Sequence, residues 1–389
     1  MPQLLEVTDL RVTLPTARGP ADALRGVSLS IAKGETVGLI GESGCGKSLT
    51  ALALIGLLPA NARVAGSIRF DGRELVGASE KALCALRGDR IAMVFQEPMT
   101  ALNPLQTIGA QVAEPLLQHR GVTRSAARAE ALRLLDRVKL PNAAERLSAY
   151  PHQLSGGQRQ RVMIAAALAC GPDLLIADEP TTALDVTIQR EILDLIGELV
   201  TESGMALLLI SHDLGVMARS VDRVLVMYGG SVVEAGSTAA VFDHLAHPYT
   251  RGLFAARPRL GGAREGRGGP GGNAGPAGRL ATIAGRVPEL ADLPPGCTFA
   301  DRCGWAMDAC RAAFPPLVNV APGHAARCIR LDAVAADALA GAAHDAAPGS
   351  RNDARIGAAE ERNQCTGPTD ASGRLPPAST LHTATGATR

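Results

Sequence analysis

Three stretches carry residue types that act on phosphate. Gly41-Glu42-Ser43-Gly44-Cys45-Gly46-Lys47-Ser48 fits the G-x-x-x-x-G-K-[ST] pattern. In that pattern glycines let backbone N–H groups close around phosphates, the lysine neutralises terminal phosphate charge and the hydroxyl ligates Mg²⁺. Leu154-Ser155-Gly156-Gly157-Gln158 comes later, and Leu174-Leu175-Ile176-Ala177-Asp178-Glu179 ends an apolar run on two carboxylates. A carboxylate pair at a strand end suits in-line attack by water, because one offsets metal charge while the other orients and deprotonates the nucleophile. In a chain with 43 glycines the first pattern alone is weak. Its context strengthens it: Thr36-Val37-Gly38-Leu39-Ile40 reads as a buried strand and Leu49 to Leu58 as an apolar helix.

The elements that must position these groups follow from periodicity. Residues 1 to about 96 alternate strands and loops, and about 97–160 turns helical, with Ala131, Leu132, Leu134, Leu135 and Val138 on one face of Arg124 to Val138. From about 161 to 240 strands and helices alternate again, with Val224 to Met227 and Ser231 to Glu234 flanking Gly229-Gly230 as a hairpin. Alternation of this kind predicts an α/β fold with a mostly parallel sheet and flanking helices. Residues 257–280, rich in Gly, Pro, Arg and Ala, read as a flexible linker, and 345–389 as a disordered tail. A formal net charge of +1 gives no electrostatic reason to expect nucleic acid. Neither a signal peptide nor a span of about 20 apolar residues is evident, so membrane work would require recruitment.

The combination resembles the ATP-binding cassette family from about Leu4 to about Arg330. The resemblance implies a P-loop core with an antiparallel β subdomain and a helical subdomain inserted at about 97–160, the nucleotide-binding domain occupying 1–256. It implies ATP and Mg²⁺ as ligands, with ATP held by Gly41, Glu42, Ser43, Gly44, Cys45, Gly46, Lys47, Ser48 and Leu49. Ser48, Asp178 and Gln96 then hold Mg²⁺, Glu179 is the general base, Gln96 senses the attacking water and His212 contacts the γ-phosphate. Taken singly, Gln96 and His212 read as a loop residue and a capping histidine; order and spacing favour the family roles. Leu154, Ser155, Gly156, Gly157 and Gln158 match the signature that a cassette presents to ATP on a second subunit. Ala183, Leu184 and Asp185 match the loop between paired sites. One departure stands out: no Phe, Tyr or Trp precedes Phe70, so Leu14 aligns where the family usually stacks an aromatic ring on adenine.

Cys297, Cys303, Cys310 and Cys328 are separated by five, six and seventeen residues. Four clustered cysteines in a reducing compartment suggest metal more than disulfides, though the spacing fits neither paired zinc knuckles nor ferredoxin runs. On the residues alone, metal and buried structural thiols stand level. His247-Pro248-Tyr249-Thr250, Pro294-Pro295-Gly296-Cys297 and the cysteine spacing resemble the C-terminal extension, here 281–332, of the peptide and nickel importer subgroup. That resemblance implies a [4Fe-4S] cluster on the four cysteines, in a small lobe tethered behind the linker. It further implies an ATPase subunit for dipeptide or oligopeptide import on the cytoplasmic face of a bacterial inner membrane. Its partners would be two transmembrane permease subunits, a second cassette in a heterodimer and an extracytoplasmic substrate-binding protein. Nickel or another small solute is the alternative cargo. A non-transport ATPase is disfavoured, since one cassette without a long insertion is present.

Overall fold

The computed structural model describes residues 3–182, 184–256 and 282–337. The chain opens with a long hairpin, β1 (Gln3–Thr16) and β2 (Gly19–Ala32), then enters β3 (Thr36–Ile40), which leads into α1 (Lys47–Leu54). β4 (Arg63–Phe70) and β5 (Arg73–Glu74) return to the free edge of β1, giving a four-stranded antiparallel sheet in the order β2-β1-β4-β5. After α2 (Glu80–Cys84) the chain forms β6 (Ile91–Val94). The apolar helix expected to reach Leu58 stops at Leu54, because the following residues leave the helix as a turn.

The inserted helices are α3 (Pro98–Ala101), α4 (Ile108–His119), α5 (Arg124–Arg137), α6 (Ala143–Arg146) and α7 (Gly156–Ala167), the last running past the expected end at about 160. Thr107, Thr123 and Ser155 each sit before a helix, and each side-chain oxygen accepts a backbone N–H of the first turn. Such caps satisfy donors that the helix leaves without partners. The apolar face of α5 buries Ala127, Ala131, Leu134 and Leu135.

The second sheet has eight strands. β7 (Leu174–Asp178), α8 (Val186–Ser203), β8 (Ala206–Ile210), α9 (Leu214–Ser220), β9 (Arg223–Tyr228) and β10 (Ser231–Ser237) follow in sequence. α10 (Thr238–His244) and α11 (Pro248–Ala255) come next, and beyond the undescribed stretch lie α12 (Asp308–Ala312), β11 (Val318–Ala321) and β12 (His324–Ala326). Strand order is β11-β12-β10-β9-β3-β8-β7-β6, with the run from β9 to β6 parallel and the remaining pairings antiparallel. β8 explains why the central strands are apolar throughout. Leu207 and Leu209 pack on the helical side, while Ala206, Leu208 and Ile210 pack towards α1 and the N-terminal sheet. A parallel sheet covered on both faces buries both side-chain sets.

The C-terminal lobe is not a separate tethered body. β12 pairs with β10 and brings β11 with it, so this segment extends the main sheet. Phe299 stacks edge-on against Tyr228 at 5.1 Å between centroids and lies 5.4 Å from Tyr249. Inside this joint Glu234, fully buried, accepts the N–H groups of Ala246 and His247 and pairs with His324 at 2.7 Å. Burial lowers His247 to about 4, so its ring is neutral and its Nδ1 accepts the Tyr249 N–H. The main sheet and the shared aromatic core therefore hold this small lobe. The expected linker at 257–280 and tail at 345–389 lie outside the described residues.

Candidate active site

The site forms where several strands of the parallel sheet end, the usual ligand crevice of such sheets. The phosphate loop joins β3 to α1, Gln96 follows β6, Asp178 ends β7, and His212 follows β8. Gly46 stands before α1 at φ 104, a left-handed conformation that side chains rarely adopt. The loop turns there into α1, whose start has no side-chain cap, and N–H groups without intrahelical partners suit anion binding. Loop residues Ser43, Gly44, Gly46, Lys47, Ser48 and Leu49 line a cleft of about 710 Å³ together with Gln96, Glu179 and His212.

Within this cleft the charges are paired. Lys47 is 5% exposed, and its ammonium donates to the carbonyls of Gly41 at 2.8 Å and Glu42 at 3.1 Å, with Glu179 Oε1 at 3.8 Å. Asp178 is 4% exposed; burial raises its carboxyl above the usual range, and a hydrogen bond from Ser48 acts in the opposite direction. Asp178 Oδ1 is buried without a hydrogen-bond partner. A buried carboxylate oxygen without a partner beside a serine hydroxyl fits a divalent cation, whose charge would offset the desolvation.

Glu179 is the hub of the polar contacts. Its Oε2 accepts from Thr182 at 3.0 Å and from Gln96 Nε2 at 3.3 Å, and His212 Nδ1 lies at 3.4 Å. The backbone holds Glu179 at φ 44, a left-handed conformation costing about 1 kcal/mol in a non-glycine residue. Strain of that kind is found where a side chain must be aimed, and here the Glu179 N–H is tied to the Ile210 carbonyl at 3.0 Å. Thr182 had no signal in the sequence beyond its nearness to Glu179.

The signature is built at a helix start. Ser155 and Gln158 cap α7 reciprocally, with Gln158 N–H donating to Ser155 Oγ at 3.4 Å and Ser155 N–H donating to Gln158 Oε1 at 3.1 Å. Leu154 is buried, anchoring the turn. A Cβ on Gly157 would come within 2.8 Å of Ile188 Cγ2, so only glycine lets α7 begin this close to α8. Leu184 and Asp185 lead into α8, and Gln189 donates to the Leu184 carbonyl; Ala183 lies outside the described residues.

A long-range clamp holds the phosphate loop. Arg302, with a 5% exposed side chain, donates to both Glu42 oxygens at 2.6 and 3.1 Å and to the Tyr228 hydroxyl at 3.2 Å. Burial opposes its charge, but Glu42 and Tyr228 outweigh burial and raise the guanidinium pKa. The Glu42 N–H donates to the Tyr249 hydroxyl at 2.7 Å, and burial pushes that phenol well above its usual range. Arg302→Ala leaves Glu42 without its partner, at an expected cost of about 2–3 kcal/mol, and lowers the melting temperature by roughly 5 °C. Arg302→Lys restores only part, since an ammonium cannot make the forked contact. An unchanged melting temperature in Arg302→Ala would count against the clamp.

The four cysteines are brought together but not as the expected cluster site. Cys297, Cys303, Cys310 and Cys328 line one small pocket with His247, Phe299 and Pro315. Among the described residues, however, no group of three or more His, Cys, Asp or Glu side chains is disposed to hold a metal ion. The walls are apolar, and in the absence of a metal burial pushes the Cys297 and Cys328 thiols up and Cys303 to about 11, so these residues stand as thiols there.

Comparison with known proteins identifies the family. Residues 24–182 match the ABC transporter family, and residues 233–310 match the oligopeptide/dipeptide transporter C-terminal region. A Brucella melitensis protein, provisionally named a peptide import ATP-binding protein, is 50% identical over 86% of this chain and 98% of its own. The oligopeptide transport ATP-binding protein OppD of Salmonella typhimurium is 48% identical over 84% of this chain and 93% of its own. A solved dimeric ATP-binding cassette in a post-hydrolysis state, bound to ADP and Pi, superposes with a TM-score of 0.55 at 31% identity. That match covers 60% of this chain and 98% of the other. The chain belongs to the ATP-binding cassette family of transporter ATPases, in the branch that carries the oligopeptide/dipeptide transporter C-terminal region.

Proposed function

We propose that this chain hydrolyses ATP to drive peptide import through a membrane transporter. The observation that carries the hydrolytic reading is the convergence of Lys47, the Ser48–Asp178 pair and the Glu179–Gln96–His212 group on one cleft. Lys47 neutralises terminal phosphate charge and the N–H groups of the loop cradle the phosphates. Ser48, Asp178 and Gln96 would hold Mg²⁺, which when bound would offset charge on the phosphate oxygens. Glu179 takes the proton from the attacking water, while Gln96, His212 and Thr182 fix the direction in which its carboxylate points. Catalysis here is positioning and electrostatics more than covalent chemistry.

The signature faces a different task. Ser155, Gly156 and Gly157 place a helix N-terminus where its partial positive charge suits a phosphate from another chain. A second, similar cassette completes each site in this reading, and a heterodimer is the proposed form. Peptide as cargo is supported by the names of the relatives and by the C-terminal match; nickel or another small solute is the alternative. Among the described residues no helix is long and apolar enough to cross a membrane. Two permease subunits would therefore carry the pathway, with an extracytoplasmic binding protein delivering substrate and this chain at the cytoplasmic face.

The test is reconstitution with the two permeases in vesicles. Phosphate release stimulated by a dipeptide or oligopeptide supports peptide cargo, and stimulation by nickel alone replaces it. A [4Fe-4S] cluster on Cys297, Cys303, Cys310 and Cys328 rests on the resemblance alone, and no step of hydrolysis passes through it. Iron, sulfide and zinc analysis after anaerobic purification decides it: about one equivalent of zinc replaces the cluster by a structural zinc, and no metal at all leaves four structural thiols.

A further inference from the structure

The cleft does not end at the phosphate loop. Beyond Lys47 and Ser48 it is lined by Leu14 and Ala23 from the N-terminal hairpin and by Leu290 from the segment that follows the undescribed stretch. Leu14 and Leu290 are both partly exposed, and both are aliphatic. We propose that Leu14 and Leu290 are the two walls of the slot that takes the nucleotide's base, so that the C-terminal segment completes the ATP site of its own chain. The proposal rests on the ATP reading of the cleft and adds the contact that the missing aromatic leaves open.

Three observations carry it. First, Leu290 lines the same cleft as Lys47 and Ser48, so a triphosphate seated at the loop directs its nucleoside towards the remaining, apolar end. Second, the segment bearing Leu290 is fastened to the hairpin bearing Leu14. Arg18, at the hairpin turn, donates to both oxygens of Asp292 at 2.8 and 2.9 Å and to Glu289 at 3.0 Å. Arg25 on β2 donates to the Pro294 carbonyl at 3.0 Å. The two leucines are thus held by contacts on both sides of Leu290, at Glu289 and at Asp292 and Pro294. Third, the hairpin supplies no ring: β1 and β2 contain no Phe, Tyr or Trp. A purine face offers a flat apolar area, and aliphatic carbons on either side recover much of the dispersion and burial that one stacked ring would give.

The consequence is a division of labour along the cleft. Phosphates are held by charge at the loop, and the base is held by apolar contact between two segments distant in sequence. Leu290 is a binding residue for the base, and Arg18 acts through it as a positioning residue.

Two probes separate these ends: ATP, and inorganic tripolyphosphate, which keeps the phosphates and lacks the nucleoside. In the full chain with Mg²⁺, Leu290→Ala is expected to weaken ATP about three- to tenfold and to leave tripolyphosphate unchanged. Arg18→Ala, on an exposed turn where folding is not at stake, should weaken ATP in the same direction, with Arg18→Lys recovering part of the loss. Lys47→Ala serves as the contrast, since it should weaken both probes. Unchanged ATP affinity in Leu290→Ala, or equal loss for both probes, overturns the base slot. Wild-type chain that binds neither probe would instead overturn the ATP reading beneath it.

Discussion

Glu179→Gln is expected to abolish turnover while ATP remains bound. The amide keeps the size of the side chain and can still face Thr182 and His212, but it cannot take a proton from water. Loss of a general base costs roughly a hundredfold to ten-thousandfold in rate. The contacts that orient the group are unusually complete for one carboxylate: Thr182, Gln96 and His212 all approach Oε2, and Lys47 stands near Oε1. Steady-state phosphate release and equilibrium ATP binding, measured on the same preparation, read the two effects separately. Retained wild-type turnover would remove Glu179 from the role of base.

Lys47→Ala is expected to fail one step earlier, at binding. The ammonium is buried and held by the Gly41 and Glu42 carbonyls, so it is already positioned over the loop. Removing a charge-assisted contact costs about 1.5–3 kcal/mol, a roughly 10- to 150-fold weaker affinity for ATP. Fluorescent-nucleotide titration checks this, and unchanged affinity would contradict the assignment. The pair of variants divides the cleft: one binds and does not turn over, the other scarcely binds.

Much of this site is legible in the sequence because its parts are local. The phosphate loop needs only β3, six connecting residues and α1, and each has its own pattern: an apolar strand, glycines, then an apolar helix. The carboxylate pair marks the end of β7 in the same way. What the sequence hides is pairing across the chain. Arg302 reaches Glu42 across 260 positions and Arg18 reaches Asp292 across 274, and no periodicity records such contacts. The same blindness makes the C-terminal lobe look self-standing, since the edge of β10 that receives β12 cannot be read from either segment alone. The cysteines illustrate the converse. Their spacing says that they cluster, which they do, but not whether the pocket they line favours thiolates.

The central claim is that hydrolysis is shared, with this chain's signature serving ATP bound on a second cassette. The direct measurement is phosphate release by the assembled transporter carrying Ser155→Arg in this chain, beside ATP binding at its own Lys47. The substitution places a long cation at the exposed start of α7, away from the Glu179 hub. Binding is expected to persist in this chain, while phosphate release falls because the site on the partner's phosphate loop has lost its facing helix. Phosphate release undiminished by Ser155→Arg would contradict the shared site and leave a cassette that works alone.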